Sequence, residues 1–547
     1  MPSLRENRSG SSDDGYSSWI GLMFLFNLIV GTGALTLPSA FAKTGWLLGL
    51  VLITILAFIS YMTVTFVIET MACANAIYYW GRLEQLKRER EREGYVPQDP
   101  DSNTEEDNDS AIVNDLEPNR LIQNDNVNST IEHMPLFSQR TRYYEIETKI
   151  ELVDMARIFF NDKGRVLFFL CFAIYLYGDL SIYSAAVAKT LRDVICTRNS
   201  AFANATDDEL DAQPCWTNVD PLSQWANFTR LDCYRMSLIG FITLLGPFTF
   251  FNVQKTKYIQ MCTILLRWMA FSIMISIAVR RLMVNGQQGY PPIANPYGMP
   301  SLFGTCVYSF MCHHSLPSLV APIRDKGGLH KMLSADYMLI AGFYLFLAVT
   351  GSFAFAHLED LYTLNFIPTA KQSDMFLVFI EYFLALFPVF TLSASFPIIA
   401  ITLRNNLEAL FMGTTTTQSN TNPDAAYASF CQFLLCRCTF PLLAILPPIV
   451  ITYFTDSLAS LVSFTGSYAG TGIQYIIPVA LVWQARKTCR QILGQGIIND
   501  FRSPFQSVVW LIFVFVWSCT SVILVTVNFL THSIHQQPAH LGIHLTH

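Results

Sequence analysis

The sequence predicts an all-α polytopic membrane protein with about eleven transmembrane helices, on the basis of three observations. Hydrophobic residues make up 52% of the 547 residues, and charged residues only 14%. The apolar residues are gathered in long runs, among them 47–66, 166–188 and 508–530. A helix needs about 20 apolar residues to cross a hydrocarbon core, and lipid offers no partner to an unpaired backbone group. Each run is therefore expected to be a spanning helix.

The same reading divides the chain into membrane-spanning and extramembrane parts. Residues 81–150 are acidic and poor in apolar side chains, so we expect a disordered cytoplasmic loop that accounts for much of the net charge of −6. The expected spans are 17–40, 46–70, 164–190, 235–252, 258–283, 298–320, 334–357, 373–403, 429–454, 457–484 and 505–530. The expected parts are a cytoplasmic tail over 1–16, helices 1 and 2 in 17–80, helices 3 to 5 in 151–283, helices 6 to 10 in 298–484, helix 11 in 505–530 and an outer tail over 531–547.

Basic residues in the short loops place the amino terminus on the cytoplasmic side. Two glycosylation sequons, at Asn204 and Asn227, then fall in the long outer loop 191–234, which supports this orientation. The same loop carries three cysteines, and an oxidising compartment would allow one disulfide among them. The sequence leaves open which two of Cys196, Cys215 and Cys233 are paired.

Two of the expected helices carry sequences that do not favour a continuous helix. Gly31 and Gly33 lie near the middle of the first span and Pro38 follows; glycine and proline both destabilise a helix interior. The sixth span repeats the pattern, since the residues around Pro317 echo those around Pro38. Glycines also permit close helix packing. Two interrupted helices five spans apart, however, are typical of inverted-repeat transporters.

The residues at these interruptions resemble a known family. The run NLIVGTGALTLPSAFAKTGW (27–46) is similar to the first-helix signature of the amino acid/auxin permease family, and FMCHHSLP (310–317) resembles its sixth-helix motif. The resemblance implies two inverted five-helix repeats of the LeuT-like type plus one extra C-terminal helix. It also implies secondary transport of amino acids or similar small solutes by alternating access.

Site residues follow from the resemblance by position. Coupling to sodium would use Asn27 and a hydroxyl of the eighth helix, here Thr391, Ser393 or Ser395. The residues implied in substrate binding are Gly31, Thr32, Gly33, Tyr308, Ser309, Phe310, Cys312 and His313.

Two charged residues lie near the centre of apolar runs, where charges are costly and usually functional. Asp179 lies in the third span and Arg267 in the fifth. One hypothesis is that Asp179 takes up and releases the coupling proton. In another, Arg267 is a fixed cation in place of bound sodium, and in a third the two form a structural ion pair.

A short motif in the acidic loop predicts the protein's cellular location. Glu117, Leu121 and Ile122 fit the acidic dileucine pattern that sorting adaptors bind, although so short a pattern also arises by chance. It favours the endolysosomal membrane, with the plasma membrane as the alternative.

Several functional classes are disfavoured by what the sequence contains. Neither a ring of pore charges nor a phosphate loop, metal-ligand spacing or nucleophile motif is evident, so we expect neither a channel nor an enzyme. No cofactor, metal or nucleic-acid partner is expected; the partners are the bilayer, an amino-acid-like substrate and H⁺ or Na⁺. The alternative to a transporter is a nutrient sensor that binds an amino acid and signals through its cytoplasmic loop without appreciable flux.

Overall fold

The structure is a computed structural model that describes residues 16–92, 143–196, 211–216, 228–250, 257–367, 375–412, 423–494 and 497–541. Within these ranges the regular structure is helical, and the only β-type pairing consists of isolated bridges. The helices are α1 Ser18–Ile29, α2 Thr32–Thr44, α3 Trp46–Arg92, α4 Leu152–Phe159, α5 Asp162–Ile195, α6 Arg230–Leu245, α7 Lys257–Asn285, α8 Met299–Ser309, α9 Leu316–Val320, α10 Leu329–Ala354, α11 Met375–Met412, α12 Pro423–Phe454, α13 Leu458–Thr465, α14 Ile477–Ile492 and α15 Val508–Leu541.

In the described part of the chain, seven helices are long and apolar enough to cross a membrane. The bent pair α1 and α2 makes an eighth candidate when it is counted as one span. The predicted all-α membrane class is confirmed. The sixth and tenth predicted spans coincide with interrupted helices, and the ninth lies within α12, of which Cys438–Phe454 is an apolar part. The count of eleven and the two repeats therefore stay predictions.

The boundaries predicted for the acidic loop are wrong at both ends. Helix α3 continues past residue 80 to Arg92, and Glu84 and Arg88 form an ion pair one turn apart on its exposed extension. At the other end Tyr144 and Ile150 are buried in the core. The rest of the predicted loop, 93–142, lies outside the described residues. Helix α15 likewise runs past residue 530 to Leu541.

Helices α5 and α8 occupy the interior of the bundle. Helix α5 packs against α6, α11, α12 and α13, and α8 packs against α2, α3 and α13. Two stretches of π-helix, Gly466–Gly470 and Gly472–Ile476, connect α13 to α14. Here the backbones nearly touch, because a Cβ added at Gly466 would lie 2.8 Å from the carbonyl carbon of Gly304. Such π-bulges are frequent at functional sites.

A buried ionic network lies at the carboxyl-terminal end of α5. The Arg192 guanidinium contacts the carboxylates of Asp193 at 2.9 Å, Asp211 at 2.6 Å and Asp456 at 3.5 Å, although its side chain is only 3% exposed. Arg230, at the start of α6, also contacts Asp193. The network therefore ties the end of α5 to α6 and to the turn before α13.

A disulfide lies next to this network. It joins Cys196 to Cys215 and so resolves the pairing that the sequence left open. The Cys233 thiol is free and buried, and the three sulfur atoms lie within 4.8 Å of one another.

Candidate functional site

Both predicted helix interruptions are present. Helix α1 ends at Ile29 and α2 begins at Thr32 with a bend of 55°. Helix α8 ends at Ser309 and α9 begins at Leu316, after a short non-helical segment. Backbone groups at such ends lack their intrahelical partners. At mid-membrane they must find partners inside the protein or line a cavity.

One tyrosine of α10 satisfies backbone groups of both interruptions. The Tyr344 hydroxyl donates to the Ile29 carbonyl at 2.9 Å and also lies 2.9 Å from the Ser309 carbonyl. Its side chain is completely buried. Because these carbonyls belong to the last residues of α1 and α8, this single side chain joins the first and sixth spans at their breaks.

The two glycines of the first interruption have different surroundings. A Cβ added at Gly33 would lie 2.6 Å from the Ser309 Cα, so Gly33 is needed for the close approach of α2 to α8. A Cβ at Gly31 would meet nothing nearer than the Ile29 carbonyl oxygen at 3.9 Å. Close packing therefore explains Gly33 but not Gly31.

Asp179 connects the third span to the sixth. Its carboxylate accepts a hydrogen bond from the Tyr308 hydroxyl, and both side chains are more than nine-tenths buried. No ion pair joins Asp179 to Arg267. The hypothesis that these two residues form a structural ion pair is therefore not supported. Asp179 is thus a buried carboxyl group held by a neutral partner.

Arg267 instead contacts the end of α1. Its guanidinium donates to the Asn27 carbonyl, near the carboxyl-terminal end of that helix, where a cation is electrostatically favoured. The Asn27 side-chain oxygen is buried without a described partner. The cavity beside Asn27 and Arg267 measures about 10 Å³, close to the ~10–15 Å³ that a single water requires. The site is therefore closed around its own side chains in this conformation.

The remaining predicted site residues point towards different neighbours. The Phe310 ring packs edge-on against Tyr344, and the Cys312 thiol lies 3.3 Å from the Tyr337 hydroxyl, so both face α10. His313 is buried against α3, where its Nε2 lies 2.9 Å from the Thr63 hydroxyl. These residues do not converge on one cavity.

Hydroxyls near the breaks are mostly bonded to their own helices. Ser309 donates to the Thr305 carbonyl, Thr391 to the Phe387 carbonyl and Ser395 to the Thr391 carbonyl. These bonds use the hydroxyl protons and leave the oxygen lone pairs of Thr391 and Ser395 available, so the cation site of Asn27, Thr391 and Ser395 stays a prediction. The Thr32 side chain is buried, and its hydroxyl lies beside that of Tyr183.

The predicted glycosylation and sorting residues lie outside the described residues. They are Asn204, Asn227, Glu117, Leu121 and Ile122.

Sequence reasoning missed two buried polar residues on α10. The sequence shows Tyr344 only as one residue of an apolar run. Its hydrogen-bond partners could not be predicted, because the Ile29 and Ser309 carbonyls are distant in the chain. Asp336 is fully buried with neither carboxylate oxygen bonded to a described residue. It could have been found, since it is an acid inside the apolar helix Leu329–Ala354, but the expected span began too close to it.

Comparison with the sequences of known proteins shows which family the chain belongs to. The sequence model of the family described as "Transmembrane amino acid transporter protein" matches residues 14–78 and 137–525, and so includes both interrupted helices. The chain belongs to this family. The family's proteins are transporters rather than enzymes, so the protein is an integral, multi-pass member of an amino acid transporter family.

Relatives in distant organisms match this sequence along nearly its whole length. The chain is 51% identical over 538 residues to the "Transmembrane protein 104 homolog" of Drosophila melanogaster, covering 96% of this chain and 99% of the relative. It is 44% identical over 522 residues to "Transmembrane protein 104" of Homo sapiens, covering 94% and 96%. The Dictyostelium discoideum homolog is 31% identical over 549 residues, covering 95% and 98%.

Proposed function

We propose that this protein is a secondary active transporter that carries a neutral amino acid, or a similar small solute, by alternating access between two inverted five-helix repeats. The observation that carries the proposal is the Tyr344 bridge between the ends of α1 and α8. Broken helices that meet at mid-membrane offer backbone donors and acceptors for a zwitterion. The cavity beside Asn27 and Arg267, at the end of α1, measures only about 10 Å³, which fits an occluded conformation that must open for a solute to enter.

Protons are the proposed coupling ion. Asp179 is a buried carboxyl group whose hydrogen-bond partner, Tyr308, belongs to the other interrupted span. A proton gained or lost at this carboxyl would change the contact between α5 and α8, and so couple protonation to helix movement. Arg267 supports protons over sodium, because its guanidinium already supplies a positive charge where the family resemblance places the sodium ligand Asn27.

The test is uptake of a mixed labelled amino-acid pool by proteoliposomes under an imposed proton gradient and, separately, a sodium gradient. Flux driven by the proton gradient is expected. Saturable binding of an amino acid with no flux under either gradient would replace the transporter with the nutrient sensor.

The role of Asp179 has its own prediction. Asp179→Asn keeps the size of the side chain and removes the titrating group, so proton-driven accumulation should be abolished while exchange of labelled for unlabelled substrate is retained. Tyr308→Phe is the matched variant, since it removes the hydroxyl partner but leaves the carboxyl group. Proton-driven accumulation by Asp179→Asn at the wild-type rate would rule out this residue as the coupling group.

A further inference from the structure

A second cavity lies away from the helix breaks, where α3, the segment before α4, α14 and the segment before α15 meet. Its volume is about 410 Å³, within the ~300–1,000 Å³ typical of small-molecule sites. In the predicted orientation it lies on the cytoplasmic side of the helix bundle. Its lining residues are Glu69, Cys73, Tyr144, Arg486, Cys489, Arg490, Gly494, Ile497, Asn499, Arg502 and Gln506.

One of the three lining arginines is already neutralised. Arg486 binds both carboxylate oxygens of Glu69, at 2.8 and 2.7 Å, and Glu69 also accepts from the Ser503 backbone N–H at 3.0 Å. This pair lies at the wall of the cavity and fixes the segment before α15 against α3. Because both oxygens of Glu69 are bound by Arg486, this carboxylate does not neutralise the other two arginines.

Arg490 and Arg502 remain as uncompensated cations. Both side chains are exposed, and neither forms an ion pair with a carboxylate in the described part of the chain. The Arg502 guanidinium donates to the neutral Gln506 side chain at 3.1 Å. Three arginines against one glutamate give the lining a net charge of +2.

The floor beneath these arginines is neutral and ordered. Cys73, Tyr144, Cys489 and Asn499 are each less than one-tenth exposed, and Asn499 lies with its amide nitrogen 3.9 Å from the Cys73 sulfur. A buried, neutral floor with exposed cations above it is suited to a compact, multiply charged anion. Guanidinium groups bind phosphate through paired, planar hydrogen bonds.

We propose that this cavity, lined by Arg486, Arg490 and Arg502, binds a phosphorylated anion. The anion is either the headgroup of a phosphorylated lipid in the adjacent leaflet or a soluble phosphorylated metabolite. Its binding would hold α14 against α3 without involving the helix breaks. The proposal is therefore independent of the proposed transport function.

The experiment uses the full-length purified protein and two probes. The first is phosphatidylinositol bisphosphate incorporated in phosphatidylcholine nanodiscs that contain the protein, and the second is free inositol trisphosphate. The readouts are the Tm, which a ligand of the folded state raises, and the Kd from direct titration. Arg490→Gln combined with Arg502→Gln removes two exposed cations. Lys331→Gln combined with Lys487→Gln is the matched control, because it removes the same charge from exposed residues outside the lining.

A Tm increase with the wild-type protein is expected, together with binding weakened about tenfold or more in the arginine double variant and unchanged in the lysine control. Stabilisation by the lipid alone, or a Kd for the lipid at least about tenfold lower than for inositol trisphosphate, would identify a headgroup site. Equal or tighter binding of inositol trisphosphate would identify a soluble ligand. Neither probe binding the wild-type protein would overturn the proposal, as would equal binding by the arginine double variant.

Discussion

At the scale of single residues, sequence patterns identified Asp179, Arg267 and the glycines of the first break, but not their partners. An acid or a glycine in an apolar run is visible without a structure, because its cost in a membrane helix is local. The carbonyls that Tyr344 meets belong to residues far away in the chain, so their pairing depends on packing. For the same reason, the expectation that His313 and Cys312 share one pocket with Gly31 had no local basis.

The two glycines of the first break should respond differently to the same substitution. Gly33→Ala places a Cβ against the Ser309 backbone and should destabilise the protein by about 1–3 kcal/mol, as overpacking does. Gly31→Ala has room and should be close to neutral. Thermal unfolding of both variants in detergent measures this. Equal Tm values for the two variants would show that α2 and α8 are not in such close contact.

Tyr344→Phe should lower both stability and transport. It removes the hydroxyl that donates to the Ile29 carbonyl and lies beside the Ser309 carbonyl, at a cost of about 1–3 kcal/mol, and so breaks the link between α1 and α8. Tyr362→Phe is the control, since that hydroxyl is equally buried but has no described partner. Tm and uptake are the measurements. A Tyr344→Phe protein that matched Tyr362→Phe in both would refute the bridging role.

At the scale of elements, the helices were largely predictable and their ends were not. Apolar runs fix where a helix can cross the membrane, and both interruptions were predicted from glycine and proline. The end of α3 was missed, because the charged segment 81–92 shows no apolar pattern; polar contacts one turn apart, such as the Glu84–Arg88 ion pair, support it as a helix. The network at the end of α5 was missed because Asp211, Arg230 and Asp456 meet Arg192 and Asp193 only through the fold.

That network predicts a pH dependence of stability. Burial and the neighbouring Asp456 carboxylate raise the pKa of Asp211 to about 7, against the opposing charge of Arg192; Lys189 also lies near it. In the unfolded chain the pKa of an aspartate is about 3.9. Between about pH 3.9 and about 7 the folded protein keeps a proton on Asp211 that the unfolded chain has lost. Protonation of Asp211 therefore stabilises the folded protein at low pH, and this contribution is lost as the pH rises through about 7.

The Tm should accordingly be higher at acidic than at alkaline pH, by roughly 2–4 °C for this group. Asp211→Asn, which imitates the protonated side chain, should remove that part of the difference. Asp500→Asn, at an exposed carboxylate, should leave it intact. A pH difference that is unchanged in Asp211→Asn would assign the effect to other groups.

At the scale of the whole molecule, the sequence predicted the membrane class and the family, and the comparisons confirm both. Helix order and loop position follow from the apolar runs. The disulfide partners did not, because three cysteines in one loop leave three pairings until the fold brings Cys196 to Cys215. The cavity between α3 and α14 was equally hidden, since its arginines lie far from Glu69 in the chain.

Cellular location is a property of the whole chain and has a direct test. Alanine at both Leu121 and Ile122 should move the protein from endolysosomal membranes to the cell surface, because sorting adaptors bind this hydrophobic pair. Alanine at both Ile112 and Val113 is the matched control, a similar pair with no acidic residue four positions earlier. Imaging and surface biotinylation measure the change. An unaltered vesicular distribution would remove the sorting assignment.

The length of α3 sets the distance between its carboxyl-terminal end, at Arg92, and the hydrocarbon core of the membrane. Its 47 residues form a rod about 70 Å long at ~1.5 Å per residue, whereas the hydrocarbon core is only about 30 Å thick. Roughly 40 Å of helix thus extends beyond the core, more than the diameter of a small domain. A protein that captures the chain after residue 92 can do so without touching lipid. A fluorophore attached after residue 92 would report such binding by energy transfer to a label on the bound protein. It would lie far from any probe in the bilayer.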